Sequence, residues 1–197
     1  MTDLASYRQI AILHKRSIPH GFLSSLRIES LAAIYRALDS GHGNVVLTLY
    51  DEDILTGFVA GSISKKAQML ALLSNALSIS IRLIIDPAIY LKFGKILAIA
   101  NHFRSTSKAS QGLPSAELLS IAVSPEYRGQ EYGKRLYRDL VSWFEQNDVL
   151  EFHIRVGKAL KNAQTFYGSV GANLVPNAKV GINSDTCIFK HGELHSD

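Results

Sequence analysis

The run IAVSPEYRGQEYGKRL, Ile121 to Leu136, constrains the fold of this chain more than any other segment. Glu117 to Ser124 reads as an apolar strand closed by Pro125, which has no N–H to continue a ladder. From Gly133 to Gln146 the period changes: Leu136, Leu140, Val141 and Phe144 fall on one face, with Lys134, Arg135, Arg138 and Asp139 on the other. A strand that feeds a glycine-containing turn directly into a helix gathers unpaired backbone N–H groups and the positive end of the helix dipole at one point. Such a point binds anions. Gly129 and Gly133 let the backbone come close to a phosphate, and Arg128, Lys134 and Arg135 add positive charge around it. On these grounds alone, any phosphate-bearing ligand would fit.

The rest of the chain alternates helices and strands. Ala11 to Leu38 reads as two short helices broken at Pro19-His20-Gly21. Val45 to Tyr50 and Ile54 to Ile63 form a hairpin across Asp51-Glu52-Asp53. Lys65 to about Phe103 reads as two helices, with Met69, Leu72, Leu73 and Ala76 on one face and a new start at Asp86-Pro87; Ser105 to Pro114 is a loop. After the central segment come a strand over Val149 to Val156, a helix over Leu160 to Ser169, and strands at Asn173 to Val175 and Thr186 to Lys190. The expected class is α/β, in one domain over residues 1 to 197 with a helical insertion at about 65 to 103.

A chain of 197 residues, 47% hydrophobic and 19% charged, can bury a sizeable core. Its net charge of +4 suits an anionic ligand, but Lys and Arg are scattered, so nucleic acid is not the expected partner. The single cysteine, Cys187, excludes an internal disulfide and fits a reducing compartment; it reads as a small buried hydrophobe. Asp3 and Arg8 break what a signal peptide would need, so the cytoplasm is the expected location. Ala67 to Ile81 is apolar for only 15 residues and contains Gln68, Ser74 and Asn75, too short and too polar to span a membrane. The apolar stretch from Ala67 to Ala100 is expected to be helices packed on the sheet; a lid, a subunit contact in a homodimer and a membrane-surface contact are its alternatives. The seven histidines show no ligand spacing with Cys187 or paired carboxylates, so no metal site is expected.

Ile121 to Leu136 resembles the acyl-CoA-binding signature V-x-P-x-x-R-G-x-G-x-G of the GNAT superfamily of N-acetyltransferases. A second segment follows in register: KNAQTFYGSVGA, Lys161 to Ala172, resembles that family's N-x-x-A/F-Y-x-x-x-G-F. The resemblance implies a GNAT fold, with a central, mostly antiparallel mixed sheet splayed between Ile121-Ala122-Val123 and the strand Phe152 to Ile154. It implies acetyl-CoA as acyl donor and direct transfer to an amine. The amides of Arg128, Gly129, Gln130, Glu131, Tyr132 and Gly133, with Lys134 beside them, would hold the pyrophosphate. Ile121, Ala122 and Val123 would pair with the pantetheine arm and Asn162 would touch it. Tyr167 would protonate the departing thiolate, a transfer from a phenol of pKa about 10 to a thiolate of about 8.5 that the site must favour. Glu131 departs from the pattern, which has glycine there; a carboxylate beside a pyrophosphate is tolerable only if its side chain turns to solvent.

On the acceptor side, Glu117 at the start of the central strand is the first candidate for the base, with a solvated strand-end residue as its alternative. His14 and His20 flank the first helix break, where such enzymes build part of the acceptor pocket, and His153 alternates along a strand. The phrase Ile10 to Leu26, IAILHKRSIPHGFLSSL, is similar to GNAT proteins of bacterial surface-polysaccharide synthesis, which N-acetylate nucleotide-linked amino sugars. It makes an amino sugar the leading acceptor, ahead of a protein or peptide amine. A non-catalytic acyl-CoA-binding module and a nucleotide-binding α/β protein are the remaining readings.

Overall fold

The computed structural model describes residues 4–19, 22–75, 112–176 and 186–192. Three helices come first: α1 (Leu4–Ser17), the single turn α2 (Phe22–Ser25) and α3 (Ile28–Ser40). α1 reaches further back than the sequence periodicity suggests, because Tyr7, Ile10, Ala11 and His14 form one buried stripe at helical spacing. The hairpin is β1 (Asn44–Asp51) and β2 (Ile54–Ser62), followed by α4 (Lys65–Ser74), whose Ser64 cap accepts the Ala67 N–H. The remainder of the expected helical insertion, its start at Asp86-Pro87, and most of the Ser105 to Pro114 loop lie outside the described residues.

The central segment forms β3 (Ala116–Val123), a short 3-10 turn over Pro125–Tyr127, and α5 (Tyr132–Glu145). β4 (Phe152–Gly157), α6 (Lys161–Ser169), β5 (Asn173–Val175) and β6 (Thr186–His191) complete the order. β4 begins three residues later than its apolar pattern suggests. Asp148 adopts a left-handed conformation (φ 58) and Val149 N–H closes back on the Phe144 carbonyl, so the helix exit consumes the first residues of the run.

The strands make one six-stranded sheet in the order β1-β2-β3-β4-β6-β5. Every pairing is antiparallel except β3 with β4. α1 and α3 cover one face around Tyr35, Phe58, Ala60 and Ala122. α5 covers the other around Val59, Leu118, Leu136, Leu140 and Phe144. The docking of α5 is close because β2 offers glycine beneath it: a Cβ on Gly57 would lie 2.8 Å from Leu136 Cδ1, and one on Gly61 2.5 Å from Leu140 Cδ1.

One irregularity shapes the site. Across β2 and β3, Ala60 pairs with Ser120 but Gly61 pairs with Leu118, so Leu119 is an extra residue in β3. Such a bulge bends the strand and resets which face its side chains take. Ala116 and Leu118 face the α5 core before it; Ile121 and Val123 face that core after it, while Leu119 and Ala122 turn to α1 and α3. The parallel pairing with β4 also ends here, covering Ala116–Leu118 against Phe152–Ile154. The sheet is splayed as the family resemblance implies, with a shift of position: Phe152 to Ile154 is the paired part of β4, and the gap opens between Leu119–Val123 and Arg155–Gly157.

Candidate active site

That gap is a cavity of about 890 Å³. Its walls are Leu118–Val123 of β3, Ile154–Val156 of β4, the first turns of α6, and Ser17, Ile18 and Pro19 at the end of α1; Arg128, Gly129, Glu131, Gly133 and Lys134 form its mouth. The two motifs recognised in sequence therefore face each other across one space, with the parted strand edges between them.

At the mouth, the first helical bond of α5 runs from Arg135 N–H to the Glu131 carbonyl, so the amides of Tyr132, Gly133 and Lys134 are the orphan donors of the helix start. Gly129 has φ 79, and a Cβ there would meet nothing within 4 Å, which leaves bare backbone at the opening. A Cβ on Gly133 would approach Phe166 Cε2 to 3.2 Å, so glycine lets α5 and α6 come together. A cradle of bare amides at a helix N-terminus, flanked by Arg128 and Lys134, fits a pyrophosphate. Gln130 and Tyr132 do not line the cavity with the others: the Gln130 amide bonds the Glu126 carbonyl, and the Tyr132 ring packs on Tyr127.

Glu131 sits at φ 64, a left-handed conformation that glycine adopts freely and Glu does not. Its carboxylate pairs with the Lys134 ammonium at 2.8 Å, with 65% of the side chain exposed, and both residues stay at the cavity mouth. The departure from the family pattern is thus accommodated by geometry, at the cost of occupying one of the cations at the mouth.

Deeper in, Asn162 stands on the first turn of α6 at the cavity wall. Tyr167 follows a turn and a half later, 6% exposed and packed among Tyr137, Phe166 and Phe189. Its hydroxyl has no hydrogen-bond partner among the described residues, and it lines the cavity. Burial raises its pKa, with the neighbouring Tyr137 as a second cause, so the phenol stays protonated as a donor.

Glu117 is placed differently from a solvated strand end. Its carboxylate, 13% exposed, lies 3.2 Å from Arg155 Nε and 3.5 Å from His153 Nε2. The cavity wall starts one residue later, at Leu118, and Arg155 is the member of this group that lines it. His153 is 2% exposed, and its Nδ1–H donates to the Pro114 carbonyl at 2.9 Å. Its Nε2 is thereby left to accept from Arg155, and desolvation lowers its pKa. His14 is likewise buried, held by the Tyr35 and Ser24 hydroxyls, and does not line the cavity; His20 lies outside the described residues.

Sequence reading missed Arg155 and Ser120; it expected the acceptor pocket at the Pro19 break but did not single out Ser17 or Ile18, which line the cavity there. Ser120 had no signal at all, since only the bulge decides its face; Arg155 could have been found as a charge inside an apolar strand.

A sheet parted between two parallel strands, with orphan amides at its mouth and a buried phenol in its depth, is the architecture of an acyl-CoA-dependent acyltransferase. The model of the acetyltransferase (GNAT) family matches residues 22–172, and the chain belongs to that family, with acetyl-CoA as its acyl donor. Three of the solved structures that share the fold illustrate the likeness. The Salmonella typhimurium protein yncA, with its cofactor acetyl-CoA, has a TM-score of 0.60 at 14% identity, over 100% of this chain and 94% of that one. The paia N-acetyltransferase of Thermoplasma acidophilum, in complex with coenzyme A, has a TM-score of 0.58 at 14% identity, over 98% and 96%. The ribosomal-protein-S18-alanine N-acetyltransferase of Escherichia coli has a TM-score of 0.56 at 12% identity, over 100% and 94%. No curated protein matches the chain. Among the described residues no helix is long and apolar enough to cross a membrane.

Proposed function

We propose that this N-acetyltransferase acts on a primary amine of a small molecule, with a nucleotide-linked amino sugar as the first acceptor to test. The observation that carries the reading is the continuous space from the bare amides of α5 to the Tyr167 hydroxyl, bounded on the acceptor side by Ser17, Ile18 and Pro19. Those three residues belong to the N-terminal phrase that resembles amino-sugar acetyltransferases, which supports that acceptor over a peptide.

In this reading the amides from Gly129 to Gly133 and the Lys134 side chain hold the pyrophosphate, with Arg128 tied by its N–H to the Pro125 carbonyl and by its Nε to the Val123 carbonyl, while the β3 edge over Ile121, Ala122 and Val123 that β4 leaves unpaired, and the Asn162 amide, face the pantetheine arm. Bound acetyl-CoA supplies the thioester, whose carbon the amine attacks. A backbone N–H of the parted β3 edge stabilises the developing oxyanion. Tyr167 directs its O–H at the sulfur and gives it a proton as the C–S bond breaks. The same burial that raises the phenol's pKa also raises that of a thiol in its place, so the transfer is less uphill than reference values suggest. Glu117, anchored by Arg155 at the wall, takes the proton from the ammonium through the Arg155 side of the cavity. We further assign the chain to the cytoplasm, which its single cysteine, Cys187, suits.

The test is calorimetric titration with acetyl-CoA and with CoA. Thiol release is then followed with three amines: a nucleotide-linked amino sugar, spermidine, and a peptide with a free α-amine. Micromolar binding with turnover of the amino sugar supports the reading; turnover confined to the peptide replaces the acceptor, and no binding of either nucleotide overturns it.

A further inference from the structure

At the apex of the gap stands a guanidinium with one edge unoccupied among the described residues. Arg155 is the first residue of β4 beyond the parallel pairing, which ends with Leu118 against Ile154. Phe152, Ile154 and Val156 face the α5 core, so alternation along the strand turns Arg155, like His153, to the opposite face. The bare amides for the pyrophosphate lie at the start of α5. Arg155 lines the same cavity from the face that α1 covers, and the end of α1 supplies Ser17 and Ile18 to the wall.

A guanidinium presents its N–H groups along separate edges. On the side edge, Glu117 Oε1 stands 3.2 Å from Nε, and both Nε and Nη2 lie 3.4 Å from His153 Nε2. That ring nitrogen is fixed as an acceptor, because the His153 Nδ1–H is committed to the Pro114 carbonyl. His153 and the Glu117 side chain are 2% and 13% exposed, so Arg155 is gripped from its buried side. Its end edge, made of Nη1 and the second N–H of Nη2, has no partner among the described residues, and 27% of the side chain is exposed. Two N–H groups side by side on a fixed cation match two oxygens of a carboxylate or a phosphate.

We propose that Arg155 determines acceptor specificity: its free edge takes an oxyanion, carboxylate or phosphate, that the acceptor carries along with its amine. The Glu117–Arg155 pair then offers opposite charges side by side, the carboxylate to the incoming ammonium and the guanidinium to the oxyanion. An acceptor bearing both groups is held at two points. Spermidine, which bears only cations, meets repulsion at the second. This inference rests on the N-acetyltransferase reading, and deepens it by naming the chemistry that must accompany the amine.

Matched amines test it. UDP-linked glucosamine and glucosamine phosphate are compared with glucosamine, and alanylalanine with its C-terminal amide; thiol release at saturating acetyl-CoA gives kcat/KM for each. In wild type the anionic member of at least one set is expected to be preferred about tenfold or more, the effect of charge-assisted hydrogen bonds, and the set that shows it tells phosphate from carboxylate. Arg155→Gln should bring the members within about twofold of each other. Arg155→Lys, which keeps the charge beside Glu117 but not the fork, should retain only part of the preference. Loss of the Glu117 anchor slows every member of a set alike, so the ratio within a set isolates the oxyanion contact. No preference in wild type, a preference that survives Arg155→Gln, or an equal rise in the KM for acetyl-CoA overturns the assignment. Calorimetry of the CoA-loaded protein reads the same ratios as Kd and needs no turnover. If nothing is acetylated, an Arg155-dependent preference in Kd upholds the site and places the failure with the functional reading; no preference in Kd overturns the site as well.

Discussion

Replacing Glu131 by glycine should tighten acetyl-CoA binding without harming the fold. In the native chain Glu131 holds a left-handed backbone (φ 64, ψ −4) directly before α5. A side chain there costs about 1–2 kcal/mol that glycine does not pay. Glycine in turn gives the unfolded chain more freedom, costing about 0.5–1 kcal/mol, so net stability should rise slightly or stay level. For binding, two effects act together: a carboxylate leaves the mouth, and Lys134, now paired to it at 2.8 Å, is released to the ligand. The pair is exposed, with side chains 65% and 43% accessible, so its worth is at the low end, about 0.5–1 kcal/mol, or two- to fivefold in Kd. Calorimetry on wild type, Glu131→Gly and Glu131→Gln at low and high salt separates charge from backbone. The glutamine variant should show most of the gain, and the gain should shrink as salt screens it. Weaker binding by Glu131→Gln would refute the argument, since it would make the carboxylate a contact for the ligand and not a competitor.

Tyr167→Phe should lower kcat by about a hundredfold or more while leaving the calorimetric Kd for CoA and the melting temperature nearly unchanged, because the hydroxyl has no partner among the described residues. Gly61→Ala should destabilise the chain by about 1–3 kcal/mol in urea titration, since its Cβ would stand 2.5 Å from Leu140 Cδ1. Acid should weaken the fold through His14. Burial, and then Lys15, push its pKa from 6.5 down to about 4. The unfolded chain therefore takes up a proton below pH 6.5 that the folded ring refuses; stability is full above that pH and falls as it drops toward 4, by at most about 3 kcal/mol. In His14→Gln a shallower loss across that window, measured by urea titration at each pH, is the expected outcome.

The sequence by itself settled whatever depends on local period and local chemistry. Pro125 had to end a strand, the glycines around it had to make a turn, and Leu136, Leu140 and Phe144 had to face a core, because each follows from backbone sterics or helical spacing within a few residues. The turn that leads into α5 and the helix that carries Tyr167 were legible for the same reason, each sitting inside a compact motif. What only the tertiary structure decided were relations between distant segments. The extra residue at Leu119 has no mark in sequence, yet it resets which faces the β3 side chains take, ends the pairing with β4 and moves the gap beyond Ile154. Glu117 looked like a free strand-end carboxylate until β4 brought Arg155 to 3.2 Å from it. His14, on the apolar stripe of α1, became the middle of a hydrogen-bonded chain only because α2 and α3 fold back over it. Pairing register and burial are set by the packing of elements far apart in the chain, and no window of sequence contains both partners.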